Sequence, residues 1–202
     1  MSLFQAASQK LPGAKNLEGQ LLTDGFLDVC SLVLPVIDQF GSGFALVKND
    51  ISHNIERLRT RYLTSPVQFE LLFSIIDEEV GRNDHDHGKS CTKGLLWLKR
   101  ALEFMLAIMK RLLVEPGATM SDVVYETYHA TLHRWHGFIA SSAFNVAFHF
   151  IPSRAAFLEK VAGKDDPEAQ AAMASFIADF SPLLAEVHAF LDGRGLDDPA
   201  KV

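Results

Sequence analysis

The chain has 202 residues, 48% of them apolar, with 15 phenylalanines and a net charge of −6. That length supports one large domain with its own core, and the acidic balance excludes a broad nucleic-acid footprint. No apolar run approaches the roughly 20 residues of a membrane span, and the N-terminal stretch lacks the apolar centre of a signal peptide.

The first helix is expected over "GFLDVCSLVLPVIDQF", about 25–40, with a kink at Pro35 and a stop at Gly41. A second spans 44–63. A third, in "SPVQFELLFSIIDEEV", starts at a Ser65 cap with Pro66 in the first helical position. "GRNDHDHGKS" is a polar loop. A long helix covers 91–114, and "MSDVVYETYHATLHRW" starts another at Ser121, able to run on to a stop before Pro152. Helices over 153–162 and 167–191 follow, the last bent or broken at Pro182, and the tail "GRGLDDPAKV" is expected to be loose. No alternating strand pattern occurs, so the class is all-α in one domain, with a core over about 22–192 and loosely packed termini. Cys30 and Cys91 lie far apart and form no CxxC pair, which suits free thiols in a reducing cytosol.

Three features bear on chemistry. Asp50, Asn54 and Arg57 stand at i, i+4 and i+7, one face of a helix that can hold a polar group or simply face water. Lys93, Trp97, Ala101, Phe104 and Ile108 form a face that turns from cationic through aromatic to apolar. It reads either as an ordinary amphipathic helix or as an aromatic plate at the mouth of an apolar interior, where indole can stack on a sugar. His129, His133 and His136, with His85 and His87, raise a metal hypothesis, but no HExxH or carboxylate completes a set. His136 is the remaining candidate, followed by Ala140, Ala143 and Ala147 with Phe144 and Phe148 beside them; it reads equally as a satisfied core histidine. No nucleophile elbow, P-loop or dinucleotide fingerprint is present, so an enzyme is not expected.

The stretches "LVKNDISHNIERL", "GLLWLKRALEF" and "WHGFIASSAF", with Pro152 and Phe157 after them, resemble the glycolipid transfer protein family in order and spacing. The resemblance implies an all-helical two-layer sandwich that binds one sphingolipid without a cofactor. It implies that Asp50 and Asn54 bind sugar hydroxyls, Trp97 stacks on the ring, and His136 meets the ceramide amide, with Asp50 also touching the amide N–H. Arg57 stands where many members carry lysine. Lys93 is expected to give the sugar site a second basic edge. The chains are expected in a collapsible tunnel lined by Phe44, Val47, Phe104, Ile108, Leu132, Phe144, Phe148 and Phe157. Docking to a membrane surface is expected through Trp135 and Phe138, helped by Lys93, Lys99 and Arg100. Departures from the family pattern are Ala200, where animal members have a tyrosine, and Phe138, where the family has tryptophan. The implied function is a cytosolic, monomeric, non-enzymatic carrier of glycosphingolipids, glucosylceramide-like, with a transient membrane contact and no obligate protein partner. Alternatives are a ceramide 1-phosphate carrier and a sphingolipid sensor.

Overall fold

The computed structural model describes residues 3–162 and 167–202. Among the described residues ten α-helices carry the fold: α1 (Leu3–Lys10), α2 (Thr23–Ser31), α3 (Leu34–Asp38), α4 (Ala45–Thr64), α5 (Leu72–Gly81), α6 (Cys91–Val114), α7 (Met120–Ala130), α8 (Phe138–Ala147), α9 (Arg154–Ala162) and α10 (Pro167–Gly193). Short 3-10 turns link several of them, and the extended pairing among the described residues is limited to the bridges Lys15–Leu21 and Leu22–Leu71. The class is all-α, a helical sandwich with α6 at its centre. Helix α6 packs against α4, α7 and α10; α2 lies on α4, and α1 on α10.

Local chemistry explains where α6 starts. The Ser90 hydroxyl accepts from Lys93 N at 3.1 Å, and the Glu79 carboxylate accepts from Cys91 N and Thr92 N at 2.7 and 2.8 Å. A hydroxyl cap and an acid therefore satisfy the free donors and complement the positive end of the helix dipole. From there the helix is buried on most of its faces, including its charged Lys99 and Arg100. Helix α7 is capped by Thr119, which accepts from Asp122 N at 3.1 Å, two residues ahead of the expected Ser121.

Several expected boundaries move. The helix expected over 25–40 is two helices, because Pro35 sits in the first turn of a new one and the chain turns at Leu32–Val33. The helix expected from Ser65 begins at Leu72. Residues 69–72 instead pair with 21–23, through Thr23 Oγ1 to Phe69 O at 2.6 Å and Leu72 N to Leu21 O at 2.9 Å. That tertiary pairing outweighs the local cap signal. The helix after 120 does not run on: it stops at Ala130, and Thr131–Gly137 turns the chain before α8. Helix α10 runs through Pro182 unbroken.

The ends of the described chain are packed, where loose termini were expected. Phe4 of α1 is buried, and its ring lies 5.9 Å from that of Phe176 in α10. The tail is tied to α6 and to the turn after α7. Residues 163–166 of the expected core lie outside the described residues. By length and composition alone α10 could cross a membrane, contrary to the expectation that no segment could. Here its buried face, with Met173, Phe176, Phe180, Leu184 and Val187, is part of the core.

Helix α2 approaches the Leu11–Ala14 turn through Gly25, where a Cβ would collide with the Gly13 carbonyl and stand 2.9 Å from Ala14 Cα. Gly25→Ala should therefore destabilise by about 1–3 kcal/mol, the usual cost of overpacking. Urea unfolding reads this directly, and an unchanged midpoint would contradict the close approach.

Candidate functional site

Helices α4, α6 and α8 and the 131–137 turn enclose a cleft of about 410 Å³. Asp50, Asn54 and Arg57 line one wall, and Trp97 and Ala101 of α6 face it. His136 comes from the turn, and Ala140, Ala143, Phe144 and Ala147 of α8 complete the apolar part. Five of the six polar or aromatic residues expected at the headgroup, all but Lys93, thus line one cleft. His136 shares this wall with the alanines, although it stands on the turn and they stand on the helix.

The polar wall is pre-arranged. Asn54 is buried, and its Nδ2 donates to Asp50 Oδ2 at 3.3 Å. Arg57 Nη1 donates to the Ser90 carbonyl at 3.1 Å, which holds the guanidinium across the start of α6. Gly94 makes room for it: a Cβ there would stand 3.1 Å from Arg57 Cδ. Asp50 is exposed by surface area, yet it sits in a concave wall. Loss of surrounding water raises its carboxyl pKa, and Arg57, His53 and the Asn54 bond act in the opposite direction. The result is an acceptor next to a donor amide and a planar cation.

His136 is buried, with its ring 5.9 Å from that of Trp97 and tilted by 24°. Its Nδ1 lies 3.1 Å from the Tyr128 hydroxyl. Burial lowers its pKa to about 4, with His133 and Arg100 adding to the effect, so the ring is neutral at physiological pH. A neutral imidazole engaged at Nδ1 keeps Nε2 for another partner.

Lys93 departs from expectation. It does not line the cleft; its Nζ pairs with Asp198 and lies 3.5 Å from Asp86. A cation so near two carboxylates is drawn to them and away from the cleft. The expected basic edge at Lys93 is therefore absent from the cleft.

The apolar residues divide into two groups. Val47, Leu132 and Phe144 line the cleft, whereas Phe44, Phe104, Ile108, Phe148 and Phe157 do not. Phe44, Phe104, Ile108 and Phe157 are fully buried behind it. Their rings touch: Phe40 lies 4.7 Å from Phe157, Phe44 6.3 Å from Phe144, and Phe104 6.1 Å from Phe144. The residues expected to line a tunnel are instead packed against one another, because a dry void of that size would be costly.

The docking residues also divide. Phe138 is 87% exposed, but Trp135 is half-buried, with Arg100 3.7 Å and Arg134 4.5 Å from its ring centre. Lys99 and Arg100 are buried and paired with Glu103 and Asp197, so neither is a surface cation. Sequence reasoning missed Leu46, Gly43, Gly88 and Val202 in the cleft, and the exposed Ile139 and Val146 on α8. Leu46 was within reach of the helical spacing, since it stands four residues before Asp50. Gly88 and Val202 reach the site by tertiary contact and left no local signal. The His129 and His133 rings lie 4.5 Å apart, tilted by 40°, on the surface. Among the described residues no three His, Cys, Asp or Glu side chains converge on a possible metal position. Cys30 and Cys91 are both buried and free, and burial with the nearby Glu79 pushes the Cys91 thiol up to about 12.

A family model described as Glycolipid transfer protein (GLTP) matches residues 21–163. Glycolipid transfer protein 1 of Arabidopsis thaliana is 36% identical over 197 residues, covering 98% of this chain and 96% of that protein. A structure described as showing how FAPP2 selects simple glycosphingolipids using the GLTP-fold superposes with a TM-score of 0.81 at 26% identity, covering 93% of each chain. The human ceramide-1-phosphate transfer protein in complex with ceramide-1-phosphate superposes with a TM-score of 0.86 at 18% identity, over 98% of each chain, a likeness of fold.

The depressed pKa of His136 sets a pH test. Unfolded, the ring takes its proton near 6.5, and folded only near 4. Its contribution is whole above pH 6.5 and is lost as pH falls from there through 4, about 3 kcal/mol across the window. Urea unfolding of the parent should therefore weaken more steeply between pH 6.5 and 4 than that of His136→Gln. Equal slopes would show that the ring is not held neutral.

Proposed function

The chain belongs to the glycolipid transfer protein family, and from that premise we propose that it carries a sphingolipid with a small sugar headgroup between membranes, without catalysing a reaction. The observation that carries this reading is the facing arrangement of Asp50, Asn54 and Arg57 against Trp97 and His136 at the mouth of an apolar cleft. A sugar presents hydroxyls that donate and accept, and an apolar C–H face. The carboxylate, the amide and the guanidinium answer the first, and the indole answers the second. His136 and Asp50 serve the amide of the ceramide. The chains enter by displacing the aromatic lining behind Phe144, and each buried CH₂ contributes roughly 0.8 kcal/mol.

The charge balance supports a neutral headgroup over a phosphate. Asp50 stands in the polar wall, Arg57 is already bonded to Ser90, and Lys93 is held by Asp198. A phosphate placed here would meet one partly committed cation and one repelling carboxylate.

Two variants test the headgroup site. Trp97→Ala and Asp50→Val should each lower the rate of glucosylceramide transfer between vesicles at least about tenfold, the equivalent of one lost contact worth about 1.4 kcal/mol. Both should keep a helical circular-dichroism spectrum. Parent-like transfer by both variants would remove the assigned site, and faster transfer of ceramide 1-phosphate than of glucosylceramide by the parent would replace the sugar with a phosphate.

Membrane docking is assigned to the exposed apolar side chains around the cleft mouth, Phe138, Ile139 and Val146 of α8 with Leu46 of α4. Burying two such side chains contributes several kcal/mol, so Phe138→Ala with Ile139→Ala should weaken partition to neutral vesicles at least about tenfold. Trp135→Ala should do less, because that ring is already covered by arginine. Flotation with neutral vesicles measures this, and undiminished binding of the double variant would place the docking face elsewhere.

A further inference from the structure

The segment 196–202 reaches the cleft wall at Val202 and is fastened at both ends. At its start Leu196 is buried. Arg100 Nη2 donates to Asp197 Oδ1 at 2.8 Å and to the Asp198 carbonyl at 2.7 Å. The Asp198 carboxylate pairs with Lys93. At the far end Val202 N donates to the Trp135 carbonyl at 3.0 Å, and Gly137 N donates to the Val202 carbonyl at 2.6 Å. Val202 thereby becomes a wall of the cleft beside His136. Each fastening falls on an element that carries a headgroup residue. Lys93 and Arg100 flank Trp97 on α6, and Trp135 and Gly137 flank His136 on the turn. A segment clamped to both elements fixes their separation.

We infer that this strap limits the size of the headgroup the cleft accepts, with Asp197 and Asp198 as positioning residues that touch no lipid. The inference rests on the sugar reading of the site. Latched, the strap keeps Val202 in the cleft wall, where it takes up room that a second sugar would need. Released, the edge opens, while Asp50, Asn54 and Arg57 on α4, whose own bonds do not involve the strap, still hold the first sugar. The two latches differ in character. Arg100 and Asp197 are 3% and 20% exposed, whereas Asp198 is 34% exposed and its pair with Lys93 is the one that salt screens more.

The test is competition between ceramides carrying one and two hexoses in the same donor vesicle. The proteins are the parent, Asp197→Asn with Asp198→Asn, Asp198→Asn alone, and Asp198→Glu. The parent should favour the one-hexose lipid. The double variant should raise the ratio of two-hexose to one-hexose transfer about tenfold, and Asp198→Glu should keep the parent ratio. The parent ratio should also climb with added salt, and the double variant should be insensitive to it. A merely structural role would lower both rates together and leave the ratio fixed. Should the double variant fail to melt as a helical protein, Asp198→Asn, which keeps the Arg100 pair, carries the same comparison. A parent that moves the one-hexose lipid while the ratio stays unchanged in the variants overturns the strap alone. Equal transfer of both lipids by the parent also overturns it. A parent that moves neither overturns the sugar reading and the strap with it.

Discussion

A guanidinium that is 3% exposed cannot be left without partners, and Arg100 organises much of the site for that reason. Burial lowers its pKa, and the hydrogen bond and charge of Asp197 oppose the shift. Desolvating an arginine costs several kcal/mol unless acceptors replace the lost water. Those acceptors come from residues 197 and 198, about a hundred positions along the chain, so the tail is drawn onto α6 to reach the guanidinium. The same group also lies over two indoles, its Cζ 5.0 Å from the ring centre of Trp97 and 3.7 Å from that of Trp135. The cation thus braces the Trp97 ring, and it anchors the turn that presents His136. A single buried charge links three segments that local structure alone would leave independent.

The cleft follows from a second conflict. A carrier of long chains needs apolar space, but an empty apolar space is costly. Here the space is filled by its own side chains. Phe40, Phe44, Phe104, Phe144 and Phe157 form a continuous ring cluster behind the cleft. Aromatic rings suit this use because they bury a large area with only two side-chain torsions to reset. The alanines of α8 keep the wall in front of them low, and only Ala147 of that helix is fully buried. An outer helix with little buried surface is the least expensive element to displace.

The sequence made the polar wall readable because Asp50, Asn54 and Arg57 share one helix, where spacing fixes direction. Trp97 was readable for the same reason. His136 reaches the cleft from a turn and not from the expected helix, since nothing local marks the stop at Ala130. Lys93 and Arg100 were misread because their acidic partners lie 105 and 97 residues away in sequence. Helical spacing shows which way a cation faces, and it cannot show what arrives to meet it. Helix α1 was overlooked although Phe4, Ala7 and Leu11 carry its periodicity, because eight residues make a marginal helix without tertiary packing. The start of α5 shows the converse case: a good cap at Ser65 lost to backbone pairing with residues 21–23.

Phe144 occupies a position with a wider consequence. Its ring stacks on Tyr128 at 4.5 Å, lies 5.1 Å from His136, and meets Phe44 and Phe104 at 6.3 and 6.1 Å. It therefore borders the apolar interior on one side and the polar mouth on the other. A hydrocarbon chain that displaces it also removes a neighbour from Tyr128 and His136, which hold each other at 3.1 Å. The two halves of an amphiphile are then read by one shared hinge of aromatic side chains. Thermodynamic reciprocity makes the exchange symmetric: whatever chain entry does for the affinity of the polar end, the polar end returns to the chain in equal measure. Selectivity for headgroup and selectivity for chain length cannot be set independently in such a molecule.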